Sequence, residues 1–204
     1  MKNATIRQFD GGDAEGVRAV CAAADSHFSP AQRDILLTLY CNYYIEQEPE
    51  HCLVLADDND HAVGYCIAAS DWFQYKTRYN AIYLPLLRQC GGRGQVWRKR
   101  VEMSHLDQFA ADYPAHLHID LLEDWRGSGY GTKLLASMAE LLADEGVCGV
   151  MLGVGDTNTG ARRFYARFGF SEIGKMPGCV YYGYPILNKL IGRQDENERG
   201  QMPR

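Results

Sequence analysis

The second half of the chain alternates between strand and helix patterns, and this alternation limits the possible folds more than any other feature. The apolar run 115–122 predicts a strand, and a glycine-rich turn after it opens an amphipathic helix over 132–145. A continuous apolar strand follows at 147–154, and another amphipathic helix at 158–168. Strands that alternate with helices are typical of parallel crossover units, so this half predicts an α/β fold.

Strand patterns also occur before and after this region. Five further segments have them, and they are 4–9, 51–56, 62–69, 170–175 and 180–185. Two helices lie between the first strand and the second: one is capped by Asp13, and the other begins near Ser29 and Pro30. Together these patterns predict a central mixed sheet of about seven strands flanked by helices.

Composition limits the domain number and the partners. The 204 residues suit one domain, which we expect over 1–191, followed by a disordered polar tail at 192–204. A net charge of −5 gives no overall reason to bind nucleic acid or an anionic membrane. The N-terminus lacks an apolar signal region, and no stretch approaches about 18 consecutive apolar residues. We therefore expect a cytoplasmic protein with small-molecule or protein partners, and the sequence leaves a homodimer open.

The segment 71–114 does not fit the regular pattern. It is rich in aromatic residues, is broken by glycines at 91–94 and carries the basic cluster 98–100. A helix is predicted over 101–111. It should end before Tyr113-Pro114, because proline disfavours helix in the residue that precedes it. A long insertion of this kind often forms a lid or a substrate wall beside a site. The basic cluster indicates either a solvated face or a surface that attracts an acidic substrate or protein.

The turn after the strand 115–122 has the properties of an anion site. Its sequence is Arg126-Gly127-Ser128-Gly129-Tyr130-Gly131-Thr132. The first N–H groups of a helix have no helical partners, and the helix dipole favours negative charge there. Glycines let the main chain approach a phosphate, while Arg126 adds charge and Thr132 a hydroxyl. A P-loop needs Gly-Lys-Ser/Thr after the turn, and this chain lacks that motif. A dinucleotide-binding fold needs an acidic residue at the end of a later strand, and none is found there.

Two motifs resemble those of the GCN5-related N-acetyltransferases (GNAT). Arg126-x-x-Gly129-x-Gly131 is similar to the Q/R-x-x-G-x-G/A motif of that family. A later helix is similar to a second family signature, with the pattern Asn158-x-x-Ala161-x-x-Phe164-Tyr165-x-x-x-Gly169-Phe170. The resemblance is strong over 115–187 and loose over 1–70.

The resemblance implies the GNAT fold, with acetyl-CoA in a splay between the fourth and fifth strands. It implies that main-chain groups of Leu121, Leu122 and Glu123 bind the pantetheine and the acetyl carbonyl, and that the turn binds the pyrophosphate. It further implies that Asn158 bonds the pantetheine or pyrophosphate. Tyr165, whose free pKa is about 10, would protonate the leaving thiolate. The implied activity is direct acetyl transfer to an amine, either a small molecule or a protein lysine or N-terminus, in a ternary complex.

Within the superfamily, the segment 113–121 is similar to the acetyltransferase-like domain at the C-terminus of animal O-GlcNAcases and to its bacterial relatives. This likeness supports the fold. It also leaves a second interpretation open, in which the chain is an inactive CoA-binding or protein-interaction module.

A general base must take the proton of the acceptor amine. Alternation places His116, His118 and Asp120 on one face of their strand. The family resemblance also implies a bulge near the main-chain groups that bind the acetyl carbonyl. Asp120, which is nearest to this bulge, is the first candidate base, and Glu123 and His118 follow. The alternative for Asp120 is a buried structural carboxylate with hydrogen-bond partners.

The same face suggests a remote alternative, a metal-dependent hydrolase. His116-x-His118-x-Asp120 can begin a zinc site, but Leu121 stands where the corresponding motif needs a histidine. The seven cysteines are scattered and form no C-x-x-C pair, which indicates reduced thiols. The sequence therefore predicts no metal.

Overall fold

All strands of the protein belong to one sheet in the computed structural model, which describes residues 3–24 and 28–187. In chain order they are β1 Ala4–Gln8, β2 Cys52–Asp57, β3 Ala62–Ala69, β4 Ala115–Leu121, β5 Gly149–Gly155, β6 Ser171–Met176 and β7 Cys179–Pro185. The order across this seven-stranded sheet is β1-β2-β3-β4-β5-β7-β6. Only β4 and β5 pair in parallel. The predicted mixed sheet is confirmed, and the predicted tail lies outside the described residues.

Helices cover both faces of the sheet. Within the described ranges they are α1 Ala14–Ala24, α2 Arg33–Tyr40, α3 Asn42–Gln47, α4 Trp72–Arg78, α5 Leu84–Gln89, α6 Arg93–Leu106, α7 Tyr130–Asp144 and α8 Thr159–Phe168. The first six pack on one face, where Val54 lies, and α7 and α8 pack on the other, where Leu55 lies. Neighbouring residues of β2 thus enter different cores, as the alternation of side chains along a strand requires.

A 3₁₀ turn, Gly11–Asp13, runs directly into α1, and its N-cap is Asp10. Asp10 accepts a hydrogen bond from the N–H of Gly12 at 3.0 Å, and Asp13 accepts one from the N–H of Asp10 at 2.8 Å. Asp13 also binds both terminal nitrogens of Arg7, at 2.6 and 2.8 Å, and this contact lowers the pKa of Asp13. The prediction that Asp13 is the cap was wrong because its carboxylate instead joins β1 to the start of α1.

The insertion contributes a continuous helical run to the core. A π turn, Tyr79–Tyr83, joins α4 to α5, and its extra residue keeps Tyr79, Tyr83 and Leu87 on one buried face. On a regular α-helix a spacing of four residues would drift by about 40° at each step. The predicted helix over 101–111 is observed as α6, Arg93–Leu106, so it begins and ends earlier than expected.

One residue of the basic cluster 98–100 lies neither on a solvated face nor on a surface that attracts an acidic partner. Lys99 is buried, and its Nζ lies 3.2 Å from a carboxylate oxygen of Glu102. The same ammonium lies 5.7 Å from the ring centre of Tyr75 and 5.3 Å from that of Tyr79. The cation is therefore held by a carboxylate and by aromatic faces, an arrangement that buried cations need.

A buried histidine connects the start of β2 to the end of α7. His51 Nδ1 lies 3.1 Å from Glu48, and its Nε2 lies 2.8 Å from Glu145. The bond to Glu48 raises the pKa of His51 to about 9, against the opposing effect of burial, and Glu145 adds to the increase. His51 is therefore an imidazolium at neutral pH, and its charge holds the two elements together.

We expect this contact to make stability depend on pH. The pKa of His51 is about 9 in the folded protein and about 6.5 in an unfolded chain. Its contribution is therefore complete below the lower value and is lost as the pH rises through the higher one. Between these limits, the free energy of unfolding should fall by about 2 kcal/mol more in the wild type than in His51→Gln.

Urea unfolding at the two ends of this pH range measures the difference. The exposed His61 provides the control variant, His61→Gln, which should behave as the wild type does. Identical pH dependence of the wild type and His51→Gln would contradict the assignment.

Candidate functional site

The parallel strands β4 and β5 separate soon after they meet. They pair only at Ala115 with Val150 and at His116 with Met151. Beyond these two pairs, β4 stays bonded to β3 as far as Leu121, and β5 stays bonded to β7 along its whole length. The sheet therefore opens into a gap at the carboxyl end of β4, as the sequence resemblance implied.

Main-chain groups of β4 alternate between β3 and this gap. The N–H of Leu122 donates to the carbonyl of Val63 at 2.9 Å, and its own carbonyl accepts from Trp125 at 2.9 Å. The main-chain groups of Leu122 are thus directed toward Val63 and Trp125 and away from the gap. The alternation of an antiparallel ladder then directs the N–H groups of Ile119 and Leu121 toward the gap. The sequence prediction named Leu121 and missed Ile119.

The glycine-rich turn lies directly beyond this gap. Helix α7 begins at Tyr130, two residues earlier than predicted, and Gly129 precedes it with φ 83° and without a side-chain cap. Gly127 also has a positive φ, 74°, which other residues rarely adopt. The N–H groups of the first turn of α7 consequently remain open, as an anion site requires.

Two residues of the turn connect it to the rest of the fold. Arg126 donates from Nε to the carbonyl of Leu121 at 2.9 Å, which ties the turn to the end of β4. The hydroxyl of Tyr130 accepts a hydrogen bond from the N–H of Ala4 at 3.1 Å. Ser128 and Thr132 are exposed beside them.

A close approach between α7 and α8 forms the other side of the site. A Cβ on Gly131 would lie 3.1 Å from the ring of Phe164, so glycine permits this packing. Asn158 caps α8 by accepting a hydrogen bond from the N–H of Ala161 at 3.0 Å. Its oxygen therefore has a structural role, and its amide N–H groups are the part that can serve a ligand.

The two predicted catalytic side chains lie on opposite faces of the sheet beside the gap. Tyr165 is buried against Phe170 and Tyr182 in the core under α8. Asp120 lies on the other face and accepts a hydrogen bond from the hydroxyl of Tyr65 at 2.6 Å. Burial raises the pKa of Tyr165, and the negative charge of Asp120 raises it further. Tyr165 is therefore a protonated donor at neutral pH.

The other two candidate bases have contrasting environments. Glu123 is exposed in the short 3₁₀ turn Glu123–Trp125. The side chain of His118 is half-buried, and among the described residues its buried Nε2 has no hydrogen-bond partner. Burial lowers the pKa of His118 to about 3, and the charge of Lys99 contributes. His118 is therefore a neutral imidazole.

His116, the other histidine on this face, is buried. Its Nδ1 lies 2.7 Å from the hydroxyl of Tyr44, and burial, His118 and Lys99 lower its pKa. Within residues 3–24 and 28–187, no group of three or more His, Cys, Asp or Glu is placed to hold a metal ion. The structure thus gives no support to a metal-dependent hydrolase.

Sequence reasoning missed the residues that surround this face of β4. Tyr65 bonds Asp120 from β3, Tyr44 contacts His116 from α3, and Lys99 comes from the insertion. These residues are far from β4 in the sequence and belong to no shared motif. Only the alternation along β3 offered a signal, since it places Tyr65 on one face with Ile67.

The chain belongs to the acetyltransferase (GNAT) family, because a model of that family matches residues 18–170. Streptothricin acetyltransferase A of Bacillus subtilis (strain 168) is 35% identical over 72 residues. That match spans 35% of this chain and 41% of the Bacillus protein, which is less than half of its length.

Solved structures share the fold. A crystal structure of SsHAT is similar with a TM-score of 0.80 and 30% identity, over 90% of this chain and 98% of that one. A structure of the NatC complex bound to Gag peptide and CoA has a TM-score of 0.57 and 12% identity, over 91% of this chain and 99% of that one. At this low identity the likeness to the NatC structure shows the fold alone.

None of the helices in the described ranges has the length and apolar character of a membrane span.

We expect Lys99→Met to raise the pKa of His118 from its value of about 3. The substitution removes one positive charge near the imidazole, whereas burial, the larger cause, still keeps the pKa below the ordinary value of about 6.5. Long-range ¹H–¹⁵N NMR spectra of the ring nitrogens across a pH series measure the titration. Lys76→Met is the control, because Lys76 is paired with Asp107. A pKa of His118 that stays constant or falls would show that Lys99 does not act on it.

Proposed function

We propose that the protein transfers an acetyl group directly from acetyl-CoA to an amine acceptor bound in the same complex. Membership of the GNAT family supports this activity, since acetyl-CoA is the acetyl donor of that family. The observation that carries the proposal is the opening between β4 and β5, which leads directly to the uncapped start of α7. An extended amide chain that ends in a diphosphate fits these two features together.

In this proposal the main chain recognises the donor. The N–H groups of Ile119 and Leu121 lie where β4 no longer pairs with β5. They bond the pantetheine amide carbonyls and the acetyl carbonyl, which take the place of β5. An N–H aimed at that carbonyl also stabilises the oxyanion of the tetrahedral intermediate. The open N–H groups that follow Gly129 bind the pyrophosphate, and the amide N–H groups of Asn158 face the same arm.

Tyr165 and Asp120 carry the proton transfers. Asp120 accepts the proton that a protonated amine must lose before it attacks the carbonyl carbon. The amine nitrogen forms a bond to that carbon, the carbon–sulfur bond breaks, and the phenol of Tyr165 donates its proton to the departing thiolate. The acylated nitrogen then loses its second proton to solvent, and the phenolate of Tyr165 takes one back from solvent, so that an amide, a free CoA thiol and the original phenol remain. The raised pKa of Tyr165 supports its role as a donor, because the phenol keeps its proton until the thiolate forms.

The acceptor approaches on the face of the sheet that carries Asp120. Half-buried aromatic rings lie there: Tyr40 is 5.4 Å from His118 and 6.4 Å from Phe28, measured between ring centres. The buried rings of Trp72 and Tyr75 in α4 pack against His116 and Tyr44 on the same face, so in this proposal the insertion supports the acceptor site as a fixed element. The name of the Bacillus relative supports small-molecule amines as the first acceptor class to test.

Two finer assignments also belong to this proposal. The likeness of residues 113–121 to the O-GlcNAcase acetyltransferase-like domain supports a place near that branch of the superfamily. The described residues contain seven free cysteines, which supports a reducing compartment such as the cytoplasm.

Gly129→Ala should weaken acetyl-CoA binding by about tenfold or more, because a side chain at this φ shifts the N–H groups that bind the diphosphate. Gly146→Ala is a matched control at the other end of α7: its φ of 78° is close to the 83° of Gly129. Both substitutions should cost about 1–2 kcal/mol of stability.

Calorimetric titration with acetyl-CoA, together with the ligand-induced rise in Tm, separates the two effects. Equal loss of affinity in both variants would mean that the turn acts only through stability. No binding by the wild type at millimolar acetyl-CoA would reject the donor assignment.

Tyr165→Phe should lower kcat about 100-fold and leave the affinity for acetyl-CoA nearly unchanged, because the phenol acts only when the thiolate leaves. Asp120→Asn should lower kcat/KM similarly, because the amide cannot take the proton of the amine. Thiol titration of the CoA released with a panel of amines measures the turnover of both variants. Tyr182→Phe is the control: its hydroxyl accepts from Arg162 at 3.1 Å, and its ring contacts that of Tyr165. Full turnover in Tyr165→Phe would exclude its role as the acid.

A further inference from the structure

The positive charge of the chain is concentrated in one segment, residues 72–101. This segment contains seven Lys and Arg residues and no Asp or Glu. The whole chain has 21 basic and 26 acidic residues, so 14 basic and 26 acidic residues remain elsewhere, a net charge of −12. The segment thus differs in sign from the rest of the protein.

The same segment carries the large apolar side chains that face solvent. Among the described residues four such side chains are exposed, and all belong to it: Phe73 at 58%, Ile82 at 42%, Leu86 at 41% and Trp97 at 68%. Single exposed apolar residues are ordinary on protein surfaces, but their confinement to one segment of a chain is not. The insertion therefore has a second face, opposite the rings that it buries in the core.

Helix α6 places its exposed indole between two arginines. Trp97 is four residues after Arg93 and three before Arg100, so the three side chains lie on one side of the helix. All three are exposed, as is the neighbouring Arg98. An aromatic residue among arginines is the composition that protein interfaces favour, whereas lysine and acidic residues are depleted there.

The two lysines of the segment are already neutralised within the protein. Lys76 pairs with Asp107, and Lys99 pairs with Glu102 in the core. By contrast, the exposed arginines have no carboxylate partner in the described parts of the chain; they are Arg88, Arg93, Arg98 and Arg100. The outward charge of the segment is therefore carried by guanidinium groups, which pair with carboxylates through two hydrogen bonds at once.

We propose that the outer face of residues 72–101 is a docking surface for an acidic polypeptide that also carries apolar or aromatic side chains. Carboxylates of the partner pair with the exposed arginines, and its apolar side chains cover Trp97 and the exposed face of the run 72–89. The inference rests on the outward residues of this segment and does not depend on the proposed acetyl transfer.

Two other occupants fit the surface less well. A second copy joined by a two-fold axis would place the same patch against itself and bring like charges together. An anionic bilayer attracts lysine and arginine alike. The exclusive use of arginine for the exposed cations, together with Trp97, instead matches the composition of a protein interface.

Binding of fluorescein-labelled polymers to the full chain tests the proposal. The probes are poly-glutamate and a random copolymer of glutamate and tyrosine, and fluorescence anisotropy measures their Kd at low and moderate salt. We expect the copolymer to bind more tightly than poly-glutamate, because only the copolymer supplies aromatic side chains. Both affinities should fall as salt screens the arginines.

Substitutions separate the contribution of apolar side chains to polymer affinity from that of charged ones. Trp97→Ser should weaken copolymer binding about tenfold and leave poly-glutamate binding unchanged. The double variant Arg93→Gln, Arg100→Gln should weaken the binding of both polymers by about tenfold or more. Arg167→Gln, an exposed arginine on α8, is the matched control and should bind as the wild type does. Thermal unfolding checks that each variant is folded.

Several results would overturn the proposal. They are equal affinity for the two polymers, no effect of Trp97→Ser, or an equal loss in Arg167→Gln. Binding to phosphatidylserine–phosphatidylcholine vesicles without binding to the copolymer would assign the surface to a membrane. A dimer in sedimentation experiments that Trp97→Ser abolishes would assign it to a second copy.

Discussion

The separation of β4 from β5 is the constraint on which the site depends. Each of these strands keeps an antiparallel partner on its other side, β3 for β4 and β7 for β5, so the sheet stays whole while the parallel contact ends. Parallel pairing is slightly weaker per residue than antiparallel pairing, which makes this the place where opening costs least. The open main chain of β4 then points into the gap beside the glycine-rich turn, and a helix N-terminus follows at once.

Burial gives the polar residues of β4 different properties at neighbouring positions. His116 is buried against the rings of Trp72 and Tyr75, and His118 beside it is half-buried. Burial and the charge of Lys99 lower the pKa of both imidazoles and keep them neutral. Asp120 lies two residues further toward the gap and accepts a hydrogen bond from Tyr65. A carboxylate therefore lies at the open end of β4, with neutral imidazoles behind it. Alternate polar residues of one strand thus have different environments, although the sequence pattern treats them alike.

The insertion serves two environments with one helical run. Its π turn keeps the inward aromatic residues in register with the core, where they surround Lys99 and support the face of the sheet that carries Asp120. Over residues 72–101 its outward residues include four large apolar side chains and four arginines, and none of the residues in this range is acidic. The two faces have opposite requirements, so this segment lacks the simple apolar periodicity of an ordinary surface helix. That conflict is why its helices were difficult to predict from sequence.

The sequence by itself determined the order of strands and helices from 115 onward and the glycines of the turn, because local periodicity and positive φ are properties of adjacent residues. It also identified Asp120 and Tyr165 as candidates through motif and alternation. Only the tertiary structure decided that Leu122 turns away from the gap and that Lys99 is buried beside distant tyrosines. Hydrogen-bond register and burial depend on contacts between residues far apart in the chain, and no local pattern records them.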